Sequence, residues 1–360
     1  MLDAVKLSCR PLNARTFDGL TVACVRRSTS HCLASPLAMS SLKLLFIASL
    51  SSLATAASGF DLIYDAGSKS IIIYPSKPTD VIRYTLNGKD PDFSAGNYLA
   101  PIELPHGGIV KAAQFDEKTL VGQLVTKSIP GDPSHVPNSA ETPLTQNRDW
   151  RSYDWVTRHN EILALNKPGA IKADVVLIGD SITHFWGGEP KATRINGRDS
   201  WLKYVAPHHP VNLGYGWDRT ENVLWRLQHG EIAGLKPKVF VVLIGTNNLG
   251  INTVLETADG VEEVCQELRK RAPGAKILLL GLLPRQERPD IMRNKVADVN
   301  KILKDHASKI ADAYLDLTSK FLAPDGRITK DIMSDFLHPT DKGYGIMGAA
   351  IDEQLKAWGF

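Results

Sequence analysis

Strand-like and helix-like patterns alternate along the chain from Asp174 to its end. The predicted strands are "DVVLIG", "PVNLG", "VFVVLIG", "KILLLGLLP" and "AYLDLT". The predicted helices are "RTENVLWRLQHGEIAGL", "TADGVEEVCQELRKRA", "DIMRNKVADVNKILKDHASK" and "TDKGYGIMGAAIDEQLKAWG". Strands that are apolar along their whole length are typical of a parallel sheet that helices cover on both faces. This part of the chain is therefore predicted to adopt an α/β fold.

Small or polar residues stand at the ends of three of these strands. Ser181, Gly214 and Asn247 each fall at or just after the end of a predicted strand. In an open parallel sheet, ligands bind at the carboxyl ends of the strands. We therefore expect these residues to lie together at one edge of the sheet.

The stretch "LIGDSITHFW" leaves two interpretations of Ser181 open. A serine after a strand can cap the next helix, or it can act as a nucleophile if a base takes its proton. The candidate base is His338 in "SDFLHPTDKGY", where Asp335 lies three residues earlier. A carboxylate at that spacing can reach Nδ1 of the histidine and stabilise its charged form. These three residues would make a Ser-His-Asp triad.

A site for acyl transfer also needs hydrogen-bond donors for the oxyanion. Gly214 lets the backbone approach a ligand closely. The side-chain amide of Asn247 and the backbone N–H of Ser181 are the other candidate donors. Each of these features is common by itself, but their joint occurrence at strand ends favours an active site.

Residues 58–128 show a different pattern, with short β-branched and aromatic runs separated by turn signals. The runs "SIIIYP", "VIRYTLNG" and "GGIVKAAQF" predict a small all-β sandwich. Prolines with serine, asparagine and glycine then predict a linker at residues 129–148. The α/β domain would follow at residues 149–360.

Residues 1–57 are predicted to contain a secretory signal that starts at Met39, preceded by an extension at residues 1–38. Lys43 precedes a short apolar core at residues 44–53, and Ala54-Thr55-Ala56 fits a cleavage site near Ala56. The alternative is a buried helix. A signal starting at Met39 predicts export to the periplasm or beyond, and its apolar core is too short to span a membrane.

Removal of residues 1–57 changes the charge and the cysteine content. It takes away six basic and two acidic residues, which leaves 36 basic against 37 acidic ones. A chain so nearly neutral gives no electrostatic reason to expect a nucleic-acid partner. Only Cys265 remains of the four cysteines, on a helical apolar stripe that predicts a core position.

The blocks "GDSIT", "NLGYGWDRTENVLWRL", "VVLIGTNN" and "DFLHPTDKGY" together resemble those of the SGNH (GDSL-type) hydrolases. The similarity is greatest to the platelet-activating-factor acetylhydrolase catalytic-subunit branch, and it continues through "GLLPRQERPD" and "KVADVNKIL". In the β-unit, "IRYTLNGKDPDFSAGNYLAPIEL" resembles the chitobiase C-terminal-type, immunoglobulin-like domains of secreted glycan-active enzymes.

The resemblance implies a flavodoxin-like, three-layer α/β/α fold and a serine esterase without cofactor or metal. Ser181, His338 and Asp335 match the family's nucleophile, base and third member. Its oxyanion hole matches the Ser181 backbone N–H, Gly214 and Asn247.

Related proteins commonly read Gly-Gly-Asp where this chain has "GWD". Trp217 could therefore wall the acyl pocket, stack on a sugar, or only pack against a loop. Trp186, Trp217 and Phe336 are the predicted substrate contacts.

The function predicted from sequence is that of a secreted O-acetylesterase acting on carbohydrate esters. The export signal and the glycan-enzyme-like β-unit favour carbohydrate, but a fold does not determine a substrate. A short-chain lipid or phospholipid acetylhydrolase is the alternative, and a catalytically inert glycan-binding protein is the alternative of another class. A monomer or a homodimer is expected.

Overall fold

The computed structural model describes residues 59–132, 138–167 and 169–360. The predicted start at Met39 and the predicted signal lie outside the described residues. None of the helices in the described ranges is long and apolar enough to cross a bilayer.

The β-unit consists of two antiparallel sheets with the orders β1-β2-β5 and β4-β3-β6-β7. The strands are β1 (Phe60–Asp65), β2 (Ser70–Pro75), β3 (Val81–Thr85), β4 (Gly96–Asn97), β5 (Ile102–Glu103), β6 (Gly108–Asp116) and β7 (Thr119–Ile129). Their inward side chains form a separate apolar core that includes Ile71, Ile82, Tyr84 and Val110. The predicted all-β unit is confirmed.

The α/β unit has one sheet of five parallel strands in the order β12-β11-β10-β8-β9. They are β8 (Val175–Gly179), β9 (Pro210–Gly214), β10 (Val239–Leu243), β11 (Lys276–Leu280) and β12 (Ala313–Leu315). Strands β8 and β10 are buried at every residue, as strands between two helical layers must be. In chain order the arrangement is 2-1-3-4-5, so the predicted flavodoxin-like fold is confirmed.

Eight α-helices accompany this sheet in the part of the chain that the structure describes. They are α1 (Trp155–Leu165), α2 (Ser181–His184), α3 (Arg198–Ser200), α4 (Thr220–Gln228), α5 (Val254–Arg271), α6 (Ile291–Ile310), α7 (Thr318–Phe321) and α8 (Asp341–Ala357). Side-chain caps begin the long ones: Asp290 caps α6, and Thr253 forms a reciprocal capping box with Glu256 at α5. Cys265 is fully buried on α5, as predicted.

Residues 138–148, in the predicted linker, pack against both units. Ala140, Thr145, Gln146 and Asn147 are buried. Thr220 on α4 donates a 2.7 Å hydrogen bond to the carbonyl of Ala140. This part of the segment is therefore an ordered component of the fold and does not behave as a free spacer. The domain boundaries themselves stay a prediction.

Candidate active site

Ser181 begins α2, directly after β8. The residue that caps this helix is Asp180, whose Oδ1 accepts a 2.9 Å hydrogen bond from the backbone N–H of Ile182. The turn is so tight that a Cβ at Gly179 would lie 2.1 Å from Oγ1 of Thr183. Because Asp180 caps the helix, the Ser181 hydroxyl is free for another role.

That hydroxyl bonds to the histidine predicted to serve as its base. Nε2 of His338 lies 2.9 Å from Oγ of Ser181. On the other side of the ring, Nδ1 lies 2.7 Å from Oδ2 of Asp335. The structure therefore joins the three residues, 157 positions apart at their extremes, in one hydrogen-bonded chain.

The local turn before α8 fixes the carboxylate of Asp335. Its Oδ1 accepts hydrogen bonds from the backbone N–H groups of Leu337, at 3.1 Å, and His338, at 2.7 Å. Partial burial opposes ionisation, but the hydrogen bonds from the His338 backbone and ring outweigh it and lower the pKa of Asp335. The group facing Nδ1 is thus a carboxylate at neutral pH.

The structure contradicts the prediction that Gly214 donates to an oxyanion. Its backbone N–H donates a 2.9 Å hydrogen bond to Oδ1 of Asn212, and its carbonyl accepts one from Nε of Arg158. A Cβ at Gly214 would lie 2.3 Å from the backbone nitrogen of His184. This glycine serves the close packing of β9 on α2, and its N–H faces the protein interior.

The loop after β9 is attached to α2 through a histidine. Nδ1 of His184 accepts a 3.1 Å hydrogen bond from the backbone N–H of Gly216. Burial, with the cationic Arg158 and Arg226 nearby, lowers the pKa of His184 to about 2. The ring is therefore neutral and keeps the lone pair that accepts this bond.

Trp217 lies next on that loop and has a left-handed backbone with φ of 64°. Such a conformation is uncommon for a bulky residue and is easy for glycine. Among the described residues, neither the Trp217 nor the Ser181 backbone N–H has a hydrogen-bond acceptor. These two N–H groups are therefore candidate donors to a ligand, and the sequence prediction missed the one at Trp217.

Asn247 follows β10 and faces the same loop. Its Nδ2 donates a 2.9 Å hydrogen bond to the carbonyl of Asp218. Nε of Arg219 donates a 3.1 Å bond back to the Asn247 carbonyl. An amide nitrogen carries two hydrogens, so one holds the loop and the other remains for a ligand.

A fully buried cluster of charged side chains anchors the loop after β9 through Asp218. Arg226 donates to Oδ2 of Asp218 at 2.9 Å and also to Glu231. Nε1 of Trp155 donates to Oδ1 of Asp218 at 2.8 Å, and Oη of Tyr215 donates to Glu231 at 2.6 Å. Burial opposes the charge of the guanidinium, but the two carboxylates raise the pKa of Arg226, so it remains charged. Arg226 is a charged residue within the otherwise apolar run "VLWRL", a signal of a buried ionic partner that the sequence prediction did not use.

The three predicted substrate contacts lie in different surroundings. Trp186 is only 1% exposed, stacks on Tyr344 and donates to Ser200, so it is a core residue and that prediction is wrong. Trp217 is 51% exposed. Phe336 is half-buried and packs against the core, so its contact with substrate stays a prediction.

Two residues that the sequence prediction missed lie beside the histidine. The ring of Phe185 lies 5.3 Å from that of His338. The guanidinium of Arg194 lies over Phe185, and its Nη2 is 3.9 Å from Oδ2 of Asp335. Neither residue carries a pattern in the sequence that distinguishes it from an ordinary surface position.

Comparison with known proteins gives matches for both units. Residues 177–346 match the GDSL-like lipase/acylhydrolase family, and residues 71–129 match the Fn3 associated family. The chain is 38% identical over 214 residues to platelet-activating factor acetylhydrolase IB subunit alpha2 of Rattus norvegicus, covering 59% of this chain and 86% of that protein.

Two solved bacterial structures are also similar. One is a putative acylhydrolase of Bacteroides fragilis (TM-score 0.47, 20% identity, 57% of this chain and 98% of that one). The other is a GDSL-like lipase of Bacteroides thetaiotaomicron (TM-score 0.46, 19% identity, 57% and 98%).

A serine, a histidine and a carboxylate joined at the strand ends of a parallel sheet define the class of α/β serine hydrolases. The chain belongs to the GDSL-like lipase/acylhydrolase family. It is an ester-hydrolysing enzyme, as the sequence predicted.

Proposed function

We propose that this enzyme removes O-acetyl groups from carbohydrate through a covalent acyl-enzyme on Ser181. The observation that carries the mechanism is the chain from Ser181 Oγ through the His338 ring to Asp335. His338 accepts the hydroxyl proton as Ser181 forms a bond to the ester carbonyl carbon. As the bond between the carbonyl carbon and the sugar oxygen breaks, His338 gives the proton to that leaving oxygen. Water then attacks the acyl-enzyme in the same way, the bond to Ser181 Oγ breaks, and acetate is released.

Three donors stabilise the tetrahedral oxyanion in this proposal. They are the backbone N–H groups of Ser181 and Trp217 and the remaining Nδ2 hydrogen of Asn247. The two N–H groups have no acceptor within the described residues, and the Asn247 amide is anchored on the adjacent Asp218 carbonyl. Trp217 replaces Gly214 in this role. Donors fixed in advance lower the barrier because no reorganisation is needed as charge develops.

Acetate is the proposed acyl group. The relatives at 38% identity carry the name acetylhydrolase, which describes those proteins and supports the same acyl group here. The alternative for this chain is a short-chain lipid or phospholipid ester, which would share the acyl group and differ in the alcohol portion.

Carbohydrate is favoured as the alcohol portion because of Trp217. The left-handed backbone of Trp217 costs free energy of about 1–3 kcal/mol. Its side chain is nevertheless retained there, 51% exposed. An exposed aromatic face on the loop that supplies an oxyanion donor suits stacking against the apolar face of a sugar ring. The predicted export signal, which places the enzyme outside the cytoplasm in this proposal, also fits a glycan substrate.

Initial rates on three matched substrate sets test the proposal. They are p-nitrophenyl esters with acyl chains from two to eight carbons, acetylated xylo- and gluco-oligosaccharides, and an alkyl-acetyl-glycerophosphocholine. We expect the acetyl ester to have the highest kcat/KM of the p-nitrophenyl esters. We also expect a higher kcat/KM for the acetylated oligosaccharides than for the phospholipid. The reverse order of sugar and lipid would establish the alternative. No turnover of any substrate would favour the inert glycan-binding protein.

A further inference from the structure

Residues 145–148, here called the bridging segment, lie between the β-unit and the loop that carries Trp217. In the bridging segment, residues 145 and 147 bond to the β-unit, whereas residues 146 and 148 bond to the loop.

On the β-unit side, the contacts are three hydrogen bonds to backbone carbonyls. Oγ1 of Thr145 donates to the carbonyl of Asn97 at 2.6 Å. Nδ2 of Asn147 donates to the carbonyl of Phe93 at 2.8 Å, and its backbone N–H donates to that of Ser94 at 3.2 Å. Thr145 and Asn147 are 1% and 3% exposed, so these bonds are shielded from water.

On the active-site side, the contacts hold the carbonyls of the loop. Nε2 of Gln146 donates to the carbonyl of Gly216 and to Oδ1 of Asp218, both at 2.9 Å. Nη2 of Arg148 donates to the carbonyl of Trp217, also at 2.9 Å. Oε1 of Gln146 accepts from the Arg148 backbone N–H at 2.6 Å, which ties the two side chains' positions together.

One of these bonds determines where an oxyanion donor points. The carbonyl of Gly216 and the N–H of Trp217 belong to the same planar trans peptide, so they point in opposite directions. Gln146 and Oη of Tyr153, at 2.9 Å each, hold that carbonyl. The Trp217 N–H must therefore point away from the bridging segment.

We propose that the β-unit positions the Trp217 N–H for catalysis through the bridging segment. The β-unit holds Thr145 and Asn147, and these fix Gln146, which fixes the Gly216–Trp217 peptide. Asn147 and Thr145 are positioning residues, since neither bonds to the loop itself. The inference rests on the proposed role of Trp217 in the oxyanion hole, and it makes the contacts of the bridging segment with the β-unit necessary for full activity even on substrates too small to touch the β-unit.

Steady-state kinetics of the full chain with p-nitrophenyl acetate test this. In Asn147→Ala, kcat should fall about tenfold with KM within a factor of about two, because small displacements of catalytic groups affect the transition state most. Thr145→Val, nearly isosteric, should shift kcat in the same direction by less. The control is Tyr98→Phe, which removes the hydroxyl that accepts a hydrogen bond from the Ile73 N–H inside the β-unit and should leave kcat unchanged.

Inhibition by phenylboronic acid, whose tetrahedral adduct on Ser181 mimics the intermediate, provides a second readout. Its inhibition constant should rise by about the same factor as kcat falls in Asn147→Ala. Wild-type kcat in both Asn147→Ala and Thr145→Val, or an equal loss in Tyr98→Phe, would overturn the inference. Activity that survives in Ser181→Ala would instead overturn the proposed function, so the two failures are distinguishable.

Discussion

The two sides of the candidate active site around Ser181 are held in different ways. On the triad side, His338 and Asp335 lie three residues apart in one turn, and each is fixed by bonds within that turn or to Ser181. On the oxyanion side, the loop of Trp217 is held by groups from α2, from Asn247 after β10, and from residues 146–153. The base is therefore positioned locally, whereas the oxyanion donors depend on long-range packing.

The triad side should show the largest loss. Asp335→Asn removes the charge that orients the His338 ring, so kcat should fall roughly 10²- to 10⁴-fold. Because the pKa of Asp335 is lowered, its carboxylate stays ionised to a more acidic pH than a free aspartate does. Loss of wild-type activity on mild acidification should therefore not come from protonation of Asp335.

Asp331→Asn is the matched control for that variant, since Asp331 precedes the same turn and pairs with Lys342 on the surface. Its kcat should equal that of the wild type. A comparable loss in both variants would mean that the turn, and not the charge on Asp335, is responsible.

The oxyanion side should show the next largest effect. Asn247→Ala removes one donor, which typically costs a factor of about 10²–10³ in kcat with little change in KM. Asn247→Asp should be slower still, because a carboxylate repels the developing oxyanion. If KM rises while kcat holds, Asn247 binds the ground state of the substrate instead.

Trp217→Gly should show the smallest loss and separates the side chain from the backbone. The N–H remains, so kcat on p-nitrophenyl acetate should change by less than about threefold, whereas kcat/KM on acetylated oligosaccharide should fall about tenfold. Relief of the left-handed strain should raise the free energy of unfolding by about 1 kcal/mol.

Glu117→Gly supplies the control, since Glu117 has φ of 49° in the turn between β6 and β7. The free energy of unfolding of Glu117→Gly should rise by a similar amount, with no change in the ratio of kcat/KM between the two substrates. Equal losses on both substrates in Trp217→Gly would contradict a role in sugar stacking.

The contrast between local contacts on the triad side and long-range contacts on the oxyanion side also explains what could be predicted from the sequence. The fold follows from strands such as β8 and β10, whose unbroken apolar runs permit only a sheet covered on both faces. The triad follows from one local spacing and from a serine at a strand end. Both signals are contained in short stretches of chain.

The oxyanion side could not be predicted in this way. Gly214 fits the expected residue type, but the Asn212 side chain that consumes its N–H becomes visible only when β9 meets α2. The replacement of a glycine by Trp217 was a usable signal, because a position that favours glycine often has a left-handed backbone. The contacts of Gln146 and Asn147 are non-local and were hidden in a proline-rich stretch typical of linkers.

Covalent labelling tests the central claim, that Ser181 is the nucleophile activated by His338, most directly. The full chain is treated with a fluorophosphonate, and the adduct is located by peptide mass spectrometry. We expect a single adduct on Ser181, loss of esterase activity in proportion to labelling, and far slower labelling in His338→Ala. Labelling of a different residue, or undiminished turnover by a fully labelled enzyme, would contradict the account.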